Sequence, residues 1–440
     1  MKKLSLILIA AMFLQKANAQ HPAPEWSKAS TIYEVNIRQY TPEGTFEAFT
    51  AHIPRLHAMG ADILWLMPVQ PIGQLNRKGS LGSYYSISDY TATNPEFGTM
   101  KDFKKLVDEA HQNNMHVILD WVGNHTAWDH AWMKSHNDYY TAGKDGSIIP
   151  PVADWSDVAD LNFDNKEMRK AMIDAMKFWI NEANIDGFRC DVAMMIPDDF
   201  WKEAFSELRK TKPDVFLLCE AEGPQFIRDG FHMVYGWERH HALNKVAQGK
   251  AKAPLLDSLI RKDLETYPAG SYYMNFTSNH DENSWNGTEF ERMGDAVKTC
   301  AVVAATMPGM LLIYSGQEVA MNKRLRFFDK DTISWVDDRN YTAFYSELIK
   351  LKKANPALWN GTYGGDYKEL DDKNSSVFSF ARLKDDNRVL VFANFSNERQ
   401  EVTIEGYAGK YKMAVSGKKE KLKAKDKLEI PQWGYIVLYN

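Results

Sequence analysis

Arg189 and Asp191 stand two residues apart in Ile185-Asp186-Gly187-Phe188-Arg189-Cys190-Asp191, just after an amphipathic stretch at residues 166–184. On a strand they point to one face while Phe188 and Cys190 point to the other, so opposite charges enter one enclosed space. A structural ion pair is the competing reading of two such residues. Other predicted strand ends repeat the device: Asp120 with His125, Glu220 after Phe216-Leu217-Leu218-Cys219, and His280 with Asp281. Burying this many charges for structure alone is costly, which favours chemistry. Glycoside hydrolysis needs an ionised acid to attack the anomeric carbon and a protonated one to release the leaving oxygen. Arg189 would keep Asp191 ionised, and crowding among carboxylates would raise Glu220 into the range of a proton donor. Glu222 has the same strand parity as Glu220 but lies farther past the apolar run.

The elements that must carry these residues alternate strand with helix. Strands are predicted at residues 31–38, 62–67, 116–121, 185–191, 215–219, 231–235, 272–277 and 311–314, with amphipathic segments such as 46–59 and 99–110 between them. Eight such units ending near Asn355 predict a closed (β/α)₈ barrel, whose carboxyl-terminal strand ends surround one mouth. From Asp120 to Asp191 is 71 positions, against 29 from Asp191 to Glu220. About 40 residues, roughly 122–165, therefore leave the barrel as a small lobe over that mouth. The expected catalytic domain is 20–355.

After Pro356 the pattern changes to short alternating runs at 376–382, 388–395, 401–404, 411–415, 428–430 and 435–439. These predict an antiparallel β-sandwich over residues 356–440. Residues 1–19 pair Lys2 and Lys3 with an apolar run and Ala17-Asn18-Ala19, the layout of an export signal cleaved near Ala19. The mature chain is expected outside the cytoplasm, periplasmic or extracellular. That run is too short for a membrane span. The net charge of −5 recommends neither nucleic acid nor an anionic membrane as partner. Cys190, Cys219 and Cys300 lie in apolar runs without metal-like spacing and are expected as free thiols.

Five motifs together resemble the α-amylase family of glycoside hydrolases, glycoside hydrolase family 13, from about Thr31 to the C-terminus. They are Asp120-Trp121-Val122-Gly123-Asn124-His125, Gly187-Phe188-Arg189-Cys190-Asp191, Glu220, Phe276-Thr277-Ser278-Asn279-His280-Asp281, and Pro308-Gly309 through Tyr314-Ser315-Gly316-Gln317-Glu318. The resemblance implies Asp191 as nucleophile, Glu220 as acid/base and Asp281 as transition-state stabiliser. It places His125, Arg189 and His280 on the sugar at the cleavage point, Tyr85 as a stacking ring, and Asp120 as a loop-ordering residue. Asp160-Leu161-Asn162 resembles the family's short motif closing the lobe.

Met194 and Met195 stand where many relatives have Lys-His, which removes a leaving-group subsite and one calcium ligand of the family. The chemistry itself requires no cofactor; the resemblance leaves room for a structural calcium with Asn124 as a ligand. Trp128 and Trp132 are read as lobe packing ahead of sugar stacking. The implied activity is retaining hydrolysis of α-1,4 bonds in starch-derived α-glucans or maltooligosaccharides. Transglycosylase or α-glucosidase action would use the same residues, and a non-catalytic sugar-binding barrel would have no need of Asp191, Glu220 and Asp281 together. Chain-length preference and oligomeric state are not set by the sequence.

Overall fold

A computed structural model describes residues 21–370, 373–414 and 417–440; the segment 1–19, read as an export signal, lies outside them. The apolar runs become β1 (Ile32–Val35), β2 (Ile63–Leu66), β3 (His116–Trp121), β4 (His125–Ala127), β5 (Val158–Asp160), β6 (Gly187–Cys190), β7 (Phe216–Cys219), β8 (Met233–Tyr235), β9 (Tyr272–Asn275) and β10 (Met310–Tyr314). All but β4 and β5 close one barrel in the order β1-β2-β3-β6-β7-β8-β9-β10, with β10 returning parallel to β1. Alternation sorts the side chains. Ile32, Trp65, Ile118, Phe216, Leu218, Met274 and Leu312 fill the interior, while Tyr33, Leu64, Val117, Phe188 and Leu217 join the layer beneath the helices.

The register places the site. Asp120 on β3 stands opposite Arg189 on β6, and Cys190 stands opposite Cys219 on β7. Parity turns both sulfurs outward, and all three cysteines are buried free thiols. Helix Lys166–Ala183 leads into β6 through Asn184, whose left-handed φ of 51° ends the helix. The predicted helix at 46–59 is two helices, Phe46–Thr50 and Ile53–Met59. Pro54 opens the second, where its missing N–H costs nothing.

Between β3 and β6 the chain forms the lobe. Its β4 and β5 pair antiparallel, with His125 opposite Asp160.

The C-terminal strands are β11 (Asp366–Glu369), β12 (Val377–Lys384), β13 (Asn387–Asn394), β14 (Gln400–Thr403), β15 (Gly409–Met413), β16 (Lys419–Leu422), β17 (Lys427–Ile430) and β18 (Tyr435–Tyr439). Six form one sheet, β11-β12-β13-β18-β15-β16, and β14 pairs with β17 in a second. Leu390, Phe392, Val402, Ile430 and Leu438 share one core. Phe380, Val391 and Val437 face the other way and join the barrel's outer layer. The polar runs of β11 and β16 gave no strand signal because both are sheet edges, which bury little. Among the described residues, no helix is long and apolar enough to cross a membrane.

Candidate active site

Where β3, β6, β7 and β9 end, a cavity of about 560 Å³ is lined by Tyr85, His125, Asp191, Glu220, His280 and Asp281. A larger cavity, about 760 Å³, lies at the seam with the C-terminal domain beside Ser271 and Gly309. Those residues precede β9 and β10, at the end of the barrel that serves stability.

Arg189 organises the charges. Its Nη1 donates to Asp120 Oδ1 at 2.7 Å and to Asp191 Oδ1 at 2.9 Å. Its Nη2 lies 2.9 Å from Glu220 Oε2, an ion contact without hydrogen-bond alignment. The guanidinium is completely buried, with Trp65 and Tyr235 against its faces. The resemblance places Arg189 on the sugar; in the fold it is fully buried and is not among the residues that line the cavity. It occupies that position because β6 alternation points it inward one residue-pair below Asp191.

Burial raises the carboxyls of both Asp191 and Glu220, and although Arg189 opposes this, neighbouring carboxylates add to the rise. Asp191 is thus not held low by its arginine. Burial and the neighbouring acids thus favour the protonated form of each carboxyl, while Arg189 favours the ionised form of each. Asp281 differs: burial would raise it, but His280 and the bond to it hold it below the usual carboxylate range. Burial pushes His125 down to about 4, so its ring is neutral.

Tyr85 donates to Asp120 Oδ2 at 2.9 Å and stacks on His280 with centroids 5.4 Å apart. Asp120 also accepts from Trp65 Nε1 at 3.2 Å, which orders the floor. Glu222 points away and accepts from the Glu238 N–H at 2.8 Å. Trp128 donates to the Ser156 carbonyl within the lobe, and Trp132 packs on Tyr139 of the lobe and on Tyr90 of the loop after β2. Asn162 donates to the Asp138 carbonyl.

Asn124 offers one buried amide, 3.3 Å from the His125 ring. Calcium takes six to eight oxygens, usually with carboxylates among them. Among the described residues no three of His, Cys, Asp and Glu gather as a metal site, and Met194 and Met195 present exposed thioether chains. This donor set does not fit a calcium ion.

Several lining residues gave no signal in the sequence. Lys78 reaches from the loop after β2 to Asp157 Oδ1 at 3.0 Å and to the Asp154 carbonyl at 2.7 Å, tying barrel to lobe. Trp285 is 52% exposed and stands against Phe327 at 5.2 Å. It lies on the π-helical turn Glu282–Asn286 directly after Asp281, a backbone form common at functional sites. Glu34 was legible in principle: an acid inside the apolar run of β1 carries the same signature as Asp120 on β3.

Two family models cover the chain: the α-amylase catalytic domain matches residues 17–149 and 152–365, and the maltogenic amylase C-terminal domain matches 367–437. The chain is similar to α-amylase MalA of Haloarcula japonica, 27% identical over 401 residues, covering 87% of this chain and 58% of that protein. It therefore spans little more than half the length of that relative. Neopullulanase 2 of Thermoactinomyces vulgaris is 25% identical, covering 87% of this chain and 72% of its own. Among solved structures, an α-amylase from Lactobacillus plantarum superposes with a TM-score of 0.86 at 29% identity, covering 94% of this chain and 99% of that one. The noncanonic maltogenic α-amylase AmyB from Thermotoga neapolitana gives 0.87 at 27% identity, with the same coverage. With a catalytic-domain model matched across its barrel, the chain belongs to the α-amylase family.

Proposed function

We propose that this chain is a retaining glycoside hydrolase that cleaves α-1,4 bonds of starch-derived glucans or maltooligosaccharides. The observation that carries the reading is the bridging of Asp191 and Glu220 by one guanidinium at adjacent strand ends. Retention needs carboxyls about 5 to 5.5 Å apart, and neighbours on one small cation suit that spacing better than the 6.5 to 9.5 Å of an inverting pair. In the first step an Asp191 oxygen bonds to the anomeric carbon as the glycosidic bond breaks, and Glu220 gives its proton to the departing oxygen. Departure of that proton leaves Glu220 as a carboxylate. It then takes a proton from water, whose oxygen displaces Asp191 and regenerates the α-anomer. The ionised Asp281 offsets positive charge developing on the ring, and Tyr85 supplies an apolar face for the sugar.

A product time course on maltooligosaccharides of defined length, with the anomer of the first product read by NMR, tests this. An α-anomer is expected; a β-anomer, or no cleavage, sinks the reading. Residues 1–19 are proposed as an export signal on the layout of Lys2, Lys3, the apolar run and Ala17-Asn18-Ala19. N-terminal sequencing of protein recovered from a secreting host should begin near Gln20.

A further inference from the structure

Glu34 is fully buried in β1, and the steps above make no use of it. Its Oε1 lies 2.5 Å from His280 Nδ1, while Oε2 is buried with no hydrogen-bond partner among the described residues. Across the ring, His280 Nε2 lies 3.2 Å from Asp281 Oδ2 and 2.8 Å from the Tyr85 hydroxyl. That hydroxyl already gives its proton to Asp120. It can only accept from His280, as can the ionised Asp281. Each ring nitrogen therefore faces carboxylate oxygen. A neutral imidazole has one N–H and would set its other lone pair against a carboxylate; only the imidazolium satisfies both sides.

We propose that Glu34 is a positioning residue that holds His280 as an imidazolium, aiming Nε2–H at the cavity and keeping Asp281 ionised beside it. Glu34 touches no substrate and acts wholly through His280. The other groups around the ring agree in sign. Asp120 on β3 and Glu220 after β7 are acidic, Arg189 on β6 is the opposing cation, and Trp65 and Phe327 meet the ring with carbon. Burial lowers His280, yet Asp281 and Glu34 together carry it well above the ordinary histidine value. Burial raises Glu34 itself, and His280 opposes that rise. Among the described residues none bonds Glu34 Oε2, and the hydrogen bond of this carboxyl is the one to His280.

The inference rests on the glycosidase reading only for its kinetic arm. Histidine-selective isotope labelling of the whole protein, with the His280 signal assigned from a His280→Asn sample, reads the ring directly by NMR. An imidazolium at pH 8 in the wild-type protein is the expected result, and a neutral ring at pH 7 overturns the proposal whatever the substrate proves to be. Glu34→Gln removes the charge and keeps the shape. It should shift the alkaline limb of the kcat/KM profile on a maltooligosaccharide toward acid by about one pH unit or more, tenfold in proton affinity. An unchanged His280 ring titration in folded Glu34→Gln also overturns it. If that variant does not fold, the wild-type ring measurement decides alone. A wild-type protein inert on maltooligosaccharides would count against the glycosidase reading and leave the NMR result standing.

Discussion

Val192 donates its backbone N–H to Glu220 Oε2 over 2.8 Å while holding φ at +36° and ψ at 45°. A β-branched residue in the left-handed region is a genuine outlier, of the kind that costs about 1–3 kcal/mol and persists where surrounding structure over-determines it. Here the strain turns an amide toward the acid beside it. Val192→Gly should relieve the strain, so thermal denaturation should occur at the same temperature or higher. Turnover should fall several-fold, because the looser turn no longer fixes Glu220. A clear drop in melting temperature would show that the conformation carries no strain.

Asp191→Asn should cut turnover by several orders of magnitude with circular dichroism unchanged, because an amide cannot form the glycosyl ester. Glu220→Gln should be nearly as severe on maltooligosaccharides. On an aryl glycoside whose leaving group needs no proton it should retain much of its first-step rate. If Glu222→Gln shows that pattern instead, the acid has been misassigned.

Asp186 tests the support beneath the site. Burial would raise its carboxyl, but bonds to His111 and Lys212, with His116 beside them, hold it well below the usual range. It also accepts from the Val117 N–H at 2.8 Å, pinning the start of β6 to β3. A depressed acid contributes stability that is present above its unfolded value, about 3.9, and lost as pH falls toward the folded one. Asp186→Asn should therefore cost about 2–4 kcal/mol in urea unfolding at pH 6. That gap should shrink as pH drops below about 4. A gap independent of pH would mean the loss is one of packing.

Trp285 stands at the cavity rim with more than half its surface free, beside Phe327 and Phe328. An exposed platform of this kind suits the face of a sugar ring beyond the one being cleaved. Trp285→Ala should raise KM on long maltooligosaccharides about tenfold, with little effect on the shortest cleavable one. Equal effects on all lengths would place the ring's role elsewhere.

The barrel was legible because each of its strands is buried on both sides and reads as an apolar run, leaving Asp120, Arg189 and Glu220 conspicuous within or beside one. Asp191 and Asp281 followed from parity and position. Burial of Arg189 was not legible: alternation gives a face but not a depth, and depth decides whether a guanidinium meets a sugar or only its carboxylates. The upward shift of the Asp191 carboxyl was not legible for the same reason, since one neighbouring cation was weighed without the desolvation and the other acids. Lys78 and Asp157 come from loops and Trp285 from a single π-helical turn, where no periodicity announces which side chains converge. Glu34 was overlooked because its partner lies 246 positions away.

Barrel closure joins Ile32 to Leu312, and the Glu34 bond to His280 spans that same closing seam. A ribosome makes the chain from one end, so β1 waits for β10 with an unpaired edge through most of synthesis. Until β10 arrives, Glu34 has no wall to hold it against the histidine. Chains cut short before Met310 should thus carry Asp191, Glu220 and Asp281 and still be inert, which makes activity a readout of barrel closure.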